Sequence, residues 1–327
     1  AYRAESSPVI DGRLTDPAWE AVPWTEDFVD IEGESKPQPR LRTRAKMLWD
    51  DDYLYIGALL EEPHAWATLT ERDSVIFHDN DFEVFIDPDG DNHQYYELEI
   101  NALNTVWDLR LPKPYRDGGP PIDEWDIEGI RTAVHVQGTL NDSRDQDEFW
   151  SVEMALPWTA LGEYAAVPAP PQHGDQWRIN FSRVEWDTDI EGLDYVKISG
   201  RPEHNWVWSP QGVVNMHRPE TWGYVQFSTE PPGTDSFRPD PTYPGRVILH
   251  RIYYAQHRHR RDTGEWARSL DDLGLPWLSH ESVAAGPVLE RVEPEGWIAS
   301  VTLRTDDGKT VLRIRPDSKI TSARQER

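Results

Sequence analysis

The sequence predicts an antiparallel β-sandwich over residues 1–228 with a small α+β appendage at the C-terminal end. Three observations predict this. Short runs of alternating apolar and polar residues recur through the first part, each bounded by acidic or Pro/Gly-containing turns, as half-buried strands require. Helical periodicity is scarce there, and many strands with few helices pack as two sheets. After the proline-rich stretch Thr229 to Pro244, a linker by composition over 229–245, the pattern changes to an amphipathic helix followed by a hairpin over 246–327.

In order, Pro8 to Trp19 reads as a short strand, a turn at Asp11-Gly12, and a helical turn starting near Asp16 with Pro17 just inside it. Arg44 to Leu60 reads as a hairpin turned by Asp50-Asp51-Asp52. Phe82 to Ile86 and Tyr95 to Asn101 form a second strand pair across Asp87 to Asn92, which cannot continue a sheet. In the returning strand Tyr96, Leu98 and Ile100 point one way, and Tyr95, Glu97, Glu99 and Asn101 the other. A face showing two glutamates and an asparagine is not expected to be buried in an apolar layer, so it is the first candidate site. Val106 to Leu111, Ile130 to Val136 and Phe149 to Leu156 read as further strands, with a long loop from Pro112 to Asp126 and one helical turn at Pro157 to Leu161. On the strand Trp177 to Trp186, the face carrying Trp177, Ile179 and Phe181 ends in Arg183 and Glu185, which predicts that it leaves the core for a cleft or rim. Trp206 to Trp208 and Tyr224 to Phe227 close the sheets around the loop Ser209 to Glu220. In the appendage, Arg246 to Arg260 reads as a helix and Ser269 to Asp272 starts another. Trp297 to Leu303 and Val311 to Ile314 pair over Asp306-Asp307-Gly308.

The formal charge of -26 is unevenly spread: residues 246–327 carry 14 Lys/Arg and 12 Asp/Glu, leaving 19 and 47 on the rest. Such a field repels nucleic acid and anionic membranes and tolerates neutral ligands. With no cysteine there is neither a disulfide nor a thiolate metal site or nucleophile. No apolar run is long enough to span a membrane. The absent initiator Met suggests a removed leader, so the expected location is secreted, periplasmic or cell-surface. No phosphate loop, Gly-x-Ser-x-Gly elbow or His-Glu-x-x-His motif occurs, and no organic cofactor is expected. Oligomeric state leaves no mark in the sequence.

Sixteen tryptophans serve either a Trp-rich core or the stacking of apolar sugar faces, with carboxylates and amides taking the hydroxyls. Trp206 and Trp208 share a strand face ahead of Gln211, Met216, His217, Arg218 and Glu220; they form a candidate platform, unless Arg218 and Glu220 simply pin the loop. Trp107 and Arg116 belong to a second polar-aromatic run. Glu97 or Glu99 with Glu185, beside Arg183, can be read as a catalytic carboxylate pair or as a binding and salt-bridge network. Asp87, Asp89 and Asp91 alternate like the opening of a calcium loop, or form a solvated turn. His93 is expected to face solvent, while His250 and His257 share a helix face that suits a weak metal site.

Six pieces resemble the family 9 carbohydrate-binding modules and their β-sandwich relatives. They are PVIDGRLTDPAW (8–19), AKMLWDDDYLYIGALLEEP (45–63), NDFEVFIDPDG (80–90), WSVEMALPW (150–158), NFSRVEW (180–186) and RPETWGYVQF (218–227). The resemblance covers about 1–228. It implies the sandwich fold, a saccharide gripped between two tryptophans, and structural Ca2+. It places Phe77 and Met216 where those tryptophans sit, and Glu99 where a binding arginine is expected. The resulting expectation is an exported bacterial protein that recognises a poly- or oligosaccharide. Its rival is a glycoside hydrolase using Glu99 and Glu185, with Glu97 as the alternate.

Overall fold

The computed structural model describes residues 1–275, 279–292, 296–306 and 308–325. The described chain divides into two bodies. The first comprises Ala1–Asp89, Gln94–Pro112 and Pro120–Phe237; the second comprises Gly90–His93, Lys113–Gly119 and Arg238–Arg327. The second body thus takes in two short segments from within 1–228, in addition to the C-terminal region.

Strands of the first body are β1 (Tyr2–Arg3), β2 (Val29–Asp30), β3 (Thr43–Trp49), β4 (Tyr53–Glu61), β5 (Asp81–Asp87), β6 (Tyr95–Asn101) and β7 (Val106–Leu111). They continue with β8 (Arg131–Gln137), β9 (Phe149–Pro157), β10 (Gln176–Glu185), β11 (Thr188–Glu191), β12 (Asp194–Lys197), β13 (His204–Val207) and β14 (Gly223–Gln226). One sheet has the order β1-β3-β4-β9-β8; the larger has the order β2-β13-β10-β5-β6-β7, with β14 also on β10. Apart from the parallel β1–β3 edge, the pairings in both sheets are antiparallel. Helices α1 (Pro17–Glu20) and α2 (Trp158–Leu161) are single turns, with Pro17 at the start of α1.

The two sheets face each other across one apolar layer. Ile56, Ala58 and Leu60 of β4 and Val152 and Met154 of β9 meet Phe82, Val84 and Ile86 of β5, Leu98 and Ile100 of β6, and Trp177, Ile179 and Phe181 of β10. Every second residue of each strand therefore enters this layer, as the alternation predicts. The other face of the larger sheet is also covered. Phe85, Tyr95, Leu109, Leu111 and Val207 form a second apolar cluster beneath Met216 and Trp222 of the loop between β13 and β14. The expectation that the Glu97/Glu99 face stays open is corrected by this cover: Tyr95, Glu97, Glu99 and Asn101 are all buried.

The second body holds α3 (Tyr243–Thr263) and an antiparallel sheet in the order β15 (Val283–Glu290), β16 (Ile298–Thr305), β17 (Gly308–Ile314), β18 (Ile320–Gln325). Ile248, Leu249, Ile252 and Tyr253 pack against Val301, Leu303, Leu312 and Ile314. A Cβ on Gly245 would stand 2.7 Å from the tip of the Leu303 side chain, so glycine lets the helix approach the sheet closely without moving that side chain. The second expected helix is a 3-10 turn at Asp271–Leu273, and Asp307 of the expected hairpin turn lies outside the described residues. His93 does not face solvent: it is buried and its Nε2 bonds to the Asp317 carbonyl at 2.7 Å. His250 donates from Nδ1 to the Arg246 carbonyl and faces Asn92 through Nε2, and His257 bonds the Pro316 carbonyl, so both rings of the supposed metal pair are structural. No described helix is long and apolar enough to cross a membrane.

Candidate functional site

Cross-strand register sets out the covered face of the larger sheet. Ser182 of β10 lies opposite Glu83 of β5, Glu83 opposite Glu99 of β6, and Glu99 opposite Trp107 of β7. In the next row towards one end, Asp81 pairs with Asn101; towards the other, Phe85 pairs with Glu97 and Glu97 with Leu109. Strand alternation thus puts Asp81, Glu83, Glu97 and Glu99 on one patch, between the apolar cluster at one end and the loop that precedes β5.

Glu99 Oε2 accepts the backbone N–H of Phe77 at 2.9 Å, from a 3-10 turn (Ile76–His78) leading into β5. Phe77 and Trp107 are both half-buried beside Glu99. The Phe77 carbonyl accepts the indole N–H of Trp186 at 2.9 Å, and Lys197 Nζ from the β11–β12 hairpin sits 3.7 Å from the centre of that indole. Tyr95 OH bonds His217 Nδ1 at 3.0 Å, and His217 Nε2 stands 4.0 Å from Glu97.

Every carboxyl of the patch is held above its ordinary range. Burial is the main cause for Asp81, with the charge of Glu83 next. For Glu97 and Glu99 burial again leads, followed by Glu83. Glu83 is pushed up to about 7 by burial, with Glu203 adding to it. At neutral pH the patch therefore carries protons on part of its carboxyls and can both donate and accept hydrogen bonds.

Several predicted site residues lie elsewhere. Arg183 and Glu185 share the inner face with Phe181, so Glu185 and Glu99 are on opposite faces of the sheet. The expectation that this strand end opens into a cleft is corrected. Arg183 is fully buried and makes five hydrogen bonds, to Thr43, the Glu61 carbonyl, Glu62 and twice to Glu185. No N–H is left for a ligand. Asn101 is also consumed: its amide donates to Leu69 O and Asp79, and its oxygen accepts from Leu103 N and Thr105 N. Trp206 is buried in the inner core with Trp208 packed against that core, so they offer no open platform. Arg218 donates to Gln211 O and Glu220, the loop-pinning role. Met216 is buried in the outer apolar cluster, where the resemblance implied an aromatic clamp. Arg116 belongs to the second body, where it bonds Tyr253 OH at 3.2 Å. Of the calcium trio, Asp87 and Asp89 fall in the first body and Asp91 in the second, where it pairs with Lys319 at 2.8 Å.

Asp81, Glu83, Trp186 and Lys197 were missed. The alternation Asp81-Phe82-Glu83-Val84 was enough to put the first two on the Glu99 face once β5 and β6 pair. Trp186 and Lys197 arrive through a tertiary contact between a strand end and a hairpin, with no local signal.

Residues 10–227 match the family described as carbohydrate family 9 binding domain-like. An exoglucanase, XynX, of Acetivibrio thermocellus is 26% identical over 155 residues, which is 47% of this chain and 12% of the relative, so the chain spans only a small part of that enzyme. A candidate carbohydrate-binding protein of Bacteroides uniformis shares the fold with a TM-score of 0.51 at 15% identity, covering 69% of this chain and 97% of that one. A family 9 carbohydrate-binding module of Caldicellulosiruptor kristjanssonii, solved with glucose, gives a TM-score of 0.46 at 19% identity over 73% of this chain and 99% of that one. With its two sheets and strand pieces matched across 10–227, the chain belongs to the carbohydrate family 9 binding domain-like family.

Proposed function

We propose that the protein recognises a polysaccharide or oligosaccharide at the Phe77–Glu99–Trp107 edge of the larger sheet, and that it works outside the cytoplasm, where such polymers lie. Family membership supports the ligand class. The observation that carries the site is the half-buried ring of Trp107, directly opposite Glu99, whose carboxylate in turn holds the backbone of the half-buried Phe77. A pyranose laid on such a ring stacks its apolar face, while Glu83, Glu97 and Glu99 meet its hydroxyls. Sugar recognition combines these two features.

The hydrolase reading loses its pair. Glu99 and Glu185 cannot flank one glycosidic bond from opposite faces of a sheet. The test incubates the purified chain with calcium against plant and microbial polysaccharides and reads both bound protein and released reducing ends. Binding without release is expected. For the best ligand, Trp107→Ala should weaken affinity by about tenfold or more, since tenfold corresponds to about 1.4 kcal/mol and burying a large side chain contributes about 1.5–3 kcal/mol. Release of defined oligosaccharides would overturn the reading. Undiminished affinity in a Phe77→Ala/Trp107→Ala chain would move the site elsewhere.

A further inference from the structure

The first body holds a second hollow, of about 240 Å3, that shares no lining residue with the Phe77–Glu99–Trp107 edge. It lies where β1 and β3 of one sheet approach β14 of the other. Four aromatic rings line it: Tyr2 of β1, Trp208 just after β13, Tyr224 of β14 and the exposed Phe237. The ring centres of Tyr224 and Phe237 are 6.5 Å apart. Among the described residues Asp235 is the one charged side chain of the lining.

The polar side chains of this lining are engaged with one another. Asp235 accepts Gln226 Nε2 at 3.1 Å, the backbone N–H of Ser236 at 2.8 Å and the Ser228 hydroxyl. Gln226 also donates to the Ser236 carbonyl at 3.0 Å and accepts from Gln176 at 3.2 Å. A sugar needs several donors and acceptors to orient it, and a primary ammonium needs acceptors for three N–H groups. These side chains leave little for either. What stays unmet is charge. The bond from Ser228, followed by those from Gln226 and Ser236, holds the Asp235 carboxyl below its ordinary value, so it is ionised at neutral pH. Among the described residues no lysine, arginine or histidine comes within 4.0 Å of it. The Ala1 nitrogen donates to the Gln226 carbonyl at 2.8 Å, and burial pushes it down to about 5, so it brings no charge there.

Ring faces attract a cation, and do so more strongly as water is excluded. Arg178 already stands 4.0 Å from the centre of Tyr224. No described lysine or arginine stands over Tyr2, Trp208 or Phe237. The surrounding chain favours a positive ligand as well, since residues 1–245 carry 19 Lys/Arg against 47 Asp/Glu.

We infer that this hollow binds a small quaternary ammonium ion, with its methyl groups against Tyr2, Trp208 and Phe237 and its charge met by Asp235. Such an ion has no N–H to satisfy, which suits a lining whose hydrogen bonds are spent. The volume lies just below the range of about 300–1,000 Å3 that holds drug-sized ligands. A choline-lipid head group adds a phosphate, which the acidic body repels, so the free cation is the form the site takes. None of this rests on the saccharide reading.

Isothermal titration of the full chain at neutral pH and low ionic strength tests it, with choline and its neutral isostere, in which a tert-butyl group replaces the trimethylammonium. Choline should bind about tenfold or more tightly than the isostere, which keeps the shape and lacks the charge. Asp235→Asn should bring choline down to the level of the isostere and leave the isostere unchanged. Phe237→Ala, at an exposed position where truncation spares the fold, should weaken choline by several-fold. Both variants should keep wild-type binding to the polysaccharide, so that the two readings fail separately. Equal affinities for the two probes, no binding of millimolar choline, or wild-type choline affinity in Asp235→Asn would overturn the inference. So would capture by phosphatidylcholine vesicles without binding of free choline, which would assign a membrane head group instead.

Discussion

Glu153 shows what one carboxylate does when its partners are backbone groups. It sits in the middle of β9 with no exposed surface, and accepts the N–H groups of Asp11 and Gly12 at 2.7 and 2.8 Å on one oxygen and of Leu14 at 2.9 Å on the other. The turn it holds needs glycine. Gly12 has φ +84°, and a Cβ there would lie 2.6 Å from the Val134 carbonyl carbon. Hydrogen bonds to a charged acceptor contribute about 1.5–3 kcal/mol each when one partner is removed. Glu153→Gln keeps the volume but turns one acceptor into a donor that faces an N–H, so it should cost about 2–3 kcal/mol in urea unfolding. A loss under about 0.5 kcal/mol would mean that packing alone holds the turn. The turn itself was legible, since Asp11-Gly12 announces it locally. Its anchor lies 141 residues further on, and nothing near either end points to the other.

At the scale of elements, the end of β10 carries the clearest difference between sequence and structure. Alternation correctly put Arg183 and Glu185 on the face of Phe181. Whether that face opens depends on how far the opposing sheet extends, and Thr43 of β3 and the Glu61 carbonyl of β4 reach over it. In the network so closed Glu62 and Glu185 share Arg183, Asn80 donates to both, and Glu185 has a second cation in Arg40 while Glu62 has none of its own. Burial first, and the charge of Glu185 second, push Glu62 up to about 8 against an ordinary 4.5. A carboxyl whose folded value is raised stabilises fully below its unfolded value and loses that stabilisation as pH rises through the folded one. Stability should therefore fall between about pH 5 and pH 8 with a contribution from Glu62 of up to about 1.4 kcal/mol per pH unit. Glu62→Gln, neutral at every pH, should flatten the slope of the thermal midpoint across that window. Identical slopes in the two proteins would remove Glu62 from the titration. The same logic of reach explains Trp206 and Trp208: a strand of two tryptophans looks alike whether it faces a ligand or a core, and only the opposing sheet decides.

For the whole molecule, the sandwich was legible because strand period, acidic turns and the order of six motif pieces agree with one another, and agreement across levels is what specifies a fold. The proposed face was legible only where it follows from that period, which groups Glu97 with Glu99, while Lys197 reaches it through a tertiary contact that leaves no trace in the period. Charge acts at this same scale. Residues 1–245 carry 19 Lys/Arg against 47 Asp/Glu, and four of those carboxyls are buried together on the proposed face. At about 0.15 M salt such a field is screened beyond about 8 Å, but within a pocket it repels any anion that approaches. The ligand should therefore be a neutral glycan. In metal-free buffer at low ionic strength, affinity electrophoresis through gels holding a neutral glucan or a polyuronate should retard the protein only in the former. Adding salt should leave the glucan retardation unchanged, because stacking and hydroxyl hydrogen bonds carry it. Strong low-salt retardation by the polyuronate would mean that a cationic surface outweighs the acidic face, and the ligand would then be an acidic polymer bound away from Glu99.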